Sequence, residues 1–395
     1  SPIGASGLIQ PATRRPRLCF VVSSEMTIVA FLRELIAAAS VEYDVSIVAN
    51  SADTQLPERL GLRAQLIPVG IERRIAAWRD LVALVRLIGV FRRGRFDVVH
   101  SVSPKAGLLG MLASTLAGVP CRIHTFTGQV WATRRGFKRR VLKVADRLIA
   151  ALTTRALVDS PSQRDFLIAE GILEPGRSEV IGHGSICGID GARFHPNPGM
   201  GKEVRGELAI PETAAVLLFV GRLSRDKGVL DLAAAYAGLA QEFPNLWLLL
   251  VGPDEDGLSA RIREICGSAA ERLRRVDFTD RPECYMAAAD VFCLPSYREG
   301  FGMVVIEAAA AGLPAVASRI YGITDAVVEG ETGLMHPPGD VGLMTVALRR
   351  LIESPRERRA MGQAARQRAL RDFSQAEVQR GQMDFYRRHR FAKPE

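Results

Sequence analysis

Short apolar runs alternate with helical segments along nearly the whole chain, and this alternation leaves few folds open. A strand that feeds a helix and then a second strand returns the chain in the same direction, so successive strands pair in parallel with helices on the faces. Strands are expected at residues 17–23, 44–50, 65–68, 98–101, 122–125 and 156–160, with helices over 27–40, 78–92, 106–116, 136–150 and after 162. A second series begins at 215–220 and continues through 246–251, 276–278, 291–294 and 315–317. Between the two series lies a glycine-rich stretch, residues 182–188, followed by His195-Pro-Asn-Pro198, which marks a junction. The expected class is α/β, with two parallel-sheet units. A chain of 395 residues with 48% hydrophobic content can bury two cores.

Chemistry concentrates where strands of the second series end. Residues 290–296 suit a buried strand, Gly300 and Gly302 punctuate the turn after it, and residues 303–311 read as a helix closed by Gly312-Leu-Pro314. Such a turn aims free backbone N–H groups at an anion above the sheet. Glu299 and Glu307 bracket the loop, and carboxylates there suit neutral hydroxyls better than phosphate. Amides for a diphosphate beside carboxylates for ribose and sugar hydroxyls describe a nucleotide-sugar pocket. After 217–220 the chain turns through Gly221-Arg222 to Lys227-Gly228, placing two cations where a leaving diphosphate would gather charge.

Glu299 and Glu307 with seven residues between them, Gly221-Arg222-Leu-Ser-Arg-Asp-Lys227-Gly228, and Cys187-Gly-Ile-Asp190-Gly-Ala-Arg-Phe194-His-Pro196 together resemble the retaining GT-B glycosyltransferases of family four. These enzymes build bacterial polysaccharides. The likeness is strongest over residues 180–318. It implies two Rossmann-like domains facing an interdomain cleft: an acceptor-binding domain over 17–187, a nucleotide-sugar domain over 188–371, and a last helix, 372–395, crossing back; ahead of them residues 1–16, without a continuous apolar segment, read as a disordered tail. It implies transfer of a hexose or N-acetylhexosamine from a UDP-sugar to a lipid-linked glycan, with retention of configuration and without a metal or other cofactor. Donor contacts fall to Gly221, Arg222, Lys227, Glu299, Gly300, Phe301, Gly302, Met303 and Glu307. In the family the leaving phosphate takes the acceptor proton on the same face, and Arg222, Lys227 and the Gly302 loop would hold it.

The first half carries the acceptor side. His100 and His124 end their strands, and both are expected to face the cleft. His124-Thr-Phe-Thr-Gly128-Gln resembles the family's acceptor motif, but Thr127 stands where a histidine is usual, and a hydroxyl is no base near neutral pH. His124 and Thr127 are therefore both catalytic candidates. Ser24, Thr27, His100, Lys105 and Gly128 are the acceptor-binding candidates, with Ser24 and Thr27 expected to cap the following helix. Asp254-Glu255-Asp256 matches D-x-D, a metal and phosphate signature elsewhere, and is read here as a solvated loop.

Residues 1–187 hold 25 Lys and Arg against 15 Asp and Glu, whereas residues 188–395 hold 27 against 28. The whole positive excess thus belongs to the first half. Arg134, Arg135, Lys138, Arg139, Arg140 and Lys143 crowd one helix with Val141, Leu142 and Val144 among them, a pattern suited to anionic lipid headgroups. Arg73-Arg74 and Arg92-Arg93-Gly-Arg95 add to the field. Stacking aromatics are sparse, so nucleic acid is not the expected partner. Six scattered cysteines without a C-x-x-C pair suit reduced thiols in the cytoplasm. No run is long enough to span a bilayer, and residues 1–16 lack a signal-type apolar segment. The expected place is the inner face of the cell membrane, as a peripheral protein. A UDP-sugar epimerase of the same fold and a non-catalytic membrane scaffold are the alternatives. A dehydrogenase is disfavoured because no G-x-G-x-x-G follows an early strand.

Overall fold

The computed structural model describes residues 14–72 and 76–390. The expected tail as far as residue 13, and the Arg73-Arg74 pair, lie outside them. Two sheets form. The first has seven strands, β1 (Arg17–Val21), β2 (Asp44–Ala49), β3 (Ala64–Pro68), β4 (Val98–Val102), β5 (Cys121–Phe126), β6 (Arg155–Val158) and β7 (Ser178–Val180), in the order β3-β2-β1-β4-β5-β6-β7. The second has six, β8 (Ala215–Val220), β9 (Leu246–Val251), β10 (Leu273–Val276), β11 (Val291–Leu294), β12 (Ala315–Ser318) and β13 (Gly333–His336), in the order β10-β9-β8-β11-β12-β13. Neighbours such as β1 and β4, and β8 and β11, run parallel. In each sheet the order reverses beside the first strand, and in open α/β sheets such a switch point, outside the carboxyl ends of the strands, is where ligands bind.

The strands read as unbroken apolar runs because both faces are covered. Leu246-Trp-Leu-Leu-Leu-Val251 is buried at every position of β9. The helix Val229–Glu242 packs Leu232, Tyr236 and Leu239 into the same core, each fully buried. Each such leucine stabilises the fold by about 1.5–3 kcal/mol. The chain divides into two compact units: one reaches to His124 and takes in Leu152–Thr154 and the chain from Tyr386, and the other comprises Thr125–Ala151 and Arg155–Phe385.

Local departures from the sequence reading have local causes. The strand expected at 276–278 forms at Leu273–Val276, because Leu273 is buried while Phe278 is 64% exposed. The short strands β7 and β13 were not anticipated, since Ser-Glu-Val and Gly-Leu-Met-His have no apolar run to announce them. The helix expected over 27–40 is broken: a turn at Glu25–Thr27 leads into a π-helical stretch, Ile28–Leu32, before the helix Arg33–Glu42. Ser24 does not cap it, because its hydroxyl lies 3.2 Å from that of Thr27 instead of meeting a backbone amide. The last helix begins at Gln375, after Phe373 ends the helix Pro355–Asp372. At the glycine-rich junction Gly182, Gly184, Ser185 and Gly188 all adopt positive φ.

Candidate functional site

The turn after β8 and the loop after β11 meet at the switch point of the second sheet. Lys227 ends a short 3₁₀ turn, Arg225–Lys227, and Gly228 follows with φ of 66°. A side chain at Gly228 would place its Cβ 2.0 Å from the Pro295 carbonyl oxygen, so only glycine lets the turn reach the exit of β11. Lys227 Nζ lies 2.5 Å from Glu299 Oε1, and the Ser296 hydroxyl donates to the same oxygen at 2.8 Å. Asp226 pins the two segments together. Its carbonyl accepts from Tyr297 N at 2.8 Å, and its carboxylate accepts from Ser224 Oγ at 2.6 Å and Arg298 Nη2 at 3.0 Å. Burial works against ionisation of Asp226, but the Ser224 hydrogen bond with Arg298, Lys227 and Arg222 holds the carboxyl below its usual range. Arg222 pairs with Glu255.

Gly300 is enclosed on several sides. A Cβ there would stand 2.8 Å from Asp159 Oδ2 and 2.8 Å from Gly128 N. Ser160 Oγ donates to the Gly300 carbonyl at 3.3 Å, and Gln163 and Gln129 donate to the Thr127 carbonyl at 2.7 and 2.5 Å. Thr127 and Gly128 therefore come to the glycine loop as a fixed strip of backbone. Phe301 is buried against Phe373, ring centroids 5.2 Å apart. Gly302, with φ of 77°, starts the helix Met303–Ala310, and Met303 Sδ accepts from Ser185 Oγ at 2.9 Å. Glu307 follows one turn later, half-buried, and burial raises its carboxyl to about 7.

Asp159, Ser160 and Gln163 were missed by the sequence reading. Asp159 is 7% exposed, its Oδ1 has no hydrogen-bond partner, and burial raises its carboxyl to about 7. The available signal was an acid at the end of the apolar run 156–158.

His100 and His124 are 1% and 2% exposed; His100 shares a 2.6 Å hydrogen bond with Tyr386 and His124 a 2.8 Å one with Ser101. Burial lowers both rings to about 3, so both are neutral near pH 7. Lys105 pairs with Asp80 at 2.7 Å. On the helix Gly136–Leu152, Arg134 and Arg135 precede the first turn, and with Lys138 and Arg140 they are exposed. Arg139 and Lys143 instead bind Glu170 at 3.1 and 2.5 Å and cover the Trp131 ring. Phe137, Val141, Val144 and Leu148 form an exposed apolar stripe beside them.

The three acids after β9 have separate tasks. Asp254 accepts from Leu258 N, Ser259 N and Ser259 Oγ, Glu255 meets Arg222, and Asp256 accepts from Arg225 N at 2.8 Å. Among the described residues no three His, Cys, Asp or Glu side chains are grouped to hold a metal ion. No helix among them is long and apolar enough to cross a membrane.

Residues 27–184 match the family described as a glycosyl transferase 4-like domain, and residues 201–368 match glycosyl transferases group 1. Alpha-maltose-1-phosphate synthase of Mycolicibacterium smegmatis is 31% identical over 323 residues, covering 74% of this chain and 79% of that protein. The chain belongs to the GT-B glycosyltransferases of family four. This glycosyltransferase is also 29% identical to the capsular polysaccharide biosynthesis glycosyltransferase CapM of Staphylococcus aureus, over 84% of the chain and 86% of the relative. It is 27% identical to an Escherichia coli UDP-Gal:alpha-D-GlcNAc-diphosphoundecaprenol alpha-1,3-galactosyltransferase, over 82% and 83%. Among solved structures, sucrose-phosphate synthase from Thermosynechococcus elongatus superimposes with a TM-score of 0.78 at 23% identity, covering 94% and 98% of the two chains. Anabaena HepE in complex with UDP gives 0.76 at 19%, covering 94% and 100%. At these identities the structures establish the fold.

Proposed function

We propose that this glycosyltransferase moves a hexose or N-acetylhexosamine from a UDP-sugar to a lipid-linked glycan, with retention of configuration and without a metal. The observation that carries the reading is the convergence of Arg222, Lys227 and Arg298 on Asp226, beside Glu299 and the Gly300–Gly302 loop, at a sheet switch point. Arg222, Lys227 and Arg298, each paired with one carboxylate in the empty site, suit a diphosphate, and Ser296 with Glu299 suits sugar hydroxyls. In this reading Arg222 and Lys227 stabilise the leaving diphosphate, Glu299 orients the donor sugar, and Glu307 receives the ribose hydroxyls. The bond from the anomeric carbon to the diphosphate oxygen breaks as the acceptor oxygen joins the same face. The acceptor proton passes to the leaving phosphate, so no side chain need act as base. The names of two relatives, one assigned to capsule biosynthesis and one acting from UDP-Gal on a diphosphoundecaprenol substrate, support the donor and the acceptor class.

Ser24, Thr27 and Lys105 are the acceptor contacts of this proposal. The basic helix and its stripe of Phe137, Val141, Val144 and Leu148 bind the cytoplasmic membrane face. The deciding experiment is a thermal-shift and calorimetric screen with UDP-, GDP- and ADP-sugars, followed by NMR of the product anomer. Stabilisation by UDP-sugars and a retained anomer are expected. Preference for another nucleotide, an inverted product, or interconversion of the sugar nucleotide without an acceptor would overturn the corresponding part.

A further inference from the structure

The D-x-D stretch, unexplained by metal binding, is fastened to the Arg222–Lys227 turn. Leu223 N donates to the Pro253 carbonyl at 2.8 Å, Asp256 N to the Leu223 carbonyl at 3.3 Å, and Arg225 N to Asp256 Oδ2 at 2.8 Å. Asp254 fixes the far side of the stretch by accepting from Leu258 N at 2.7 Å and Ser259 N at 2.9 Å. This leaves Glu255 at the crest of a rigid loop, with its carboxylate on the Arg222 guanidinium. Glu255 is 43% exposed and Arg222 45% exposed, so the pair contributes little to stability.

We infer that Glu255 is an internal stand-in for the donor diphosphate, occupying Arg222 in the empty enzyme and displaced when a nucleoside diphosphate binds. The inference rests on the proposed diphosphate role of Arg222. Its chemistry is an exchange of one anion for another on a guanidinium whose planar fork accepts carboxylate and phosphate alike. The consequence is a tuned affinity: Glu255 weakens binding of donor and of the diphosphate product together, and so hastens product release. Lys227 shows the same pattern with Glu299, but Glu299 also belongs to the sugar pocket, whereas Glu255 is a positioning residue alone.

The test is calorimetric titration of the full chain with UDP and with uridine at low salt, with GDP or ADP and their nucleosides if those bind instead. Parent, Glu255→Gln, Glu255→Ala, Arg222→Ala and the Arg222→Ala/Glu255→Gln double variant are compared. Both Glu255 variants are expected to bind UDP about two- to fivefold tighter, the range of an exposed ion pair. Uridine affinity stays unchanged, and product inhibition by UDP deepens by the same factor. The gain shrinks at high salt and vanishes in the Arg222→Ala background. If Arg222→Ala weakens UDP binding while the Glu255 variants bind it no tighter, the inference falls and the role of Arg222 stands. A parallel gain for uridine would likewise refute it by exposing a general change of the loop. If Arg222→Ala leaves UDP binding intact, or no nucleoside diphosphate binds, the proposed role of Arg222 fails and this inference with it.

Discussion

Replacing Lys227 by alanine separates the fold from the chemistry. In the empty site the ammonium lies 2.5 Å from Glu299, and the two side chains are 17% and 13% exposed. Its loss leaves the Glu299 carboxylate with the Ser296 hydroxyl at 2.8 Å. A half-buried carboxylate deprived of its charge partner costs about 1–3 kcal/mol of stability. In a chain of this size that lowers the melting temperature by several degrees and leaves the enzyme folded at 25 °C. Turnover should fall much further. A cation that stabilises the leaving diphosphate only as the bond breaks is worth roughly a hundredfold, about 2.7 kcal/mol of barrier. Initial rates at saturating donor, taken well below the melting transition, report this loss without a contribution from binding or unfolding. Near-parental turnover of Lys227→Ala under those conditions would show that the diphosphate does not rely on this side chain.

Four further outcomes are expected. Glu307→Gln weakens UDP binding by about 1–3 kcal/mol while Glu299→Gln chiefly lowers turnover, and equal UDP affinities by calorimetry would contradict that division. Burial raises the Asp159 carboxyl from 3.8 to about 7, so between about pH 4 and 7 the folded protein keeps a proton that the unfolded chain has lost. Stability therefore falls as pH rises through that window, by up to about 4 kcal/mol, and Asp159→Asn flattens the melting profile there; a profile parallel to the parent's would refute the assignment. Gly300→Ala must move either Asp159 or the Gly128 backbone, both 2.8 Å from the new Cβ, and should cost about 1–3 kcal/mol and at least tenfold in turnover. Replacing Arg134, Arg135, Lys138 and Arg140 by glutamine should release the protein from anionic vesicles at about 1 kcal/mol per charge, with UDP binding unchanged; persistent pelleting across a salt series would make the helix merely solvated.

The parallel-sheet class and most strands were legible because buried parallel strands write themselves as apolar runs, as in Leu246–Val251, whereas the order of strands within each sheet was not. Glu299, Gly300 and Gly302 were legible because a glycine turn between an apolar strand and a small-residue helix has a local signature. What stayed hidden depends on distance along the chain. Lys227 and Glu299 are 72 residues apart, and no local pattern says that they touch. Asp159 looked like the polar end of a strand, and only packing against Gly300 makes it a buried acid. The basic helix was read as one charged face, yet Arg139 and Lys143 are committed to Glu170 and Trp131, partners that a count of charges does not see.

The enclosure of Gly300 bears on how such enzymes can be recombined. Gly128, Asp159, Ser160 and Gly300 belong to one compact unit, although a reading of the chain as two halves puts the first three with the acceptor side. An exchange of first halves between relatives at the glycine junction near residue 188 would therefore import a foreign lining for the Gly300 loop. Chimeras that keep residues 125–151 and 155–180 with the native second half preserve that lining. The piece that can be exchanged is thus smaller than the order of the chain suggests.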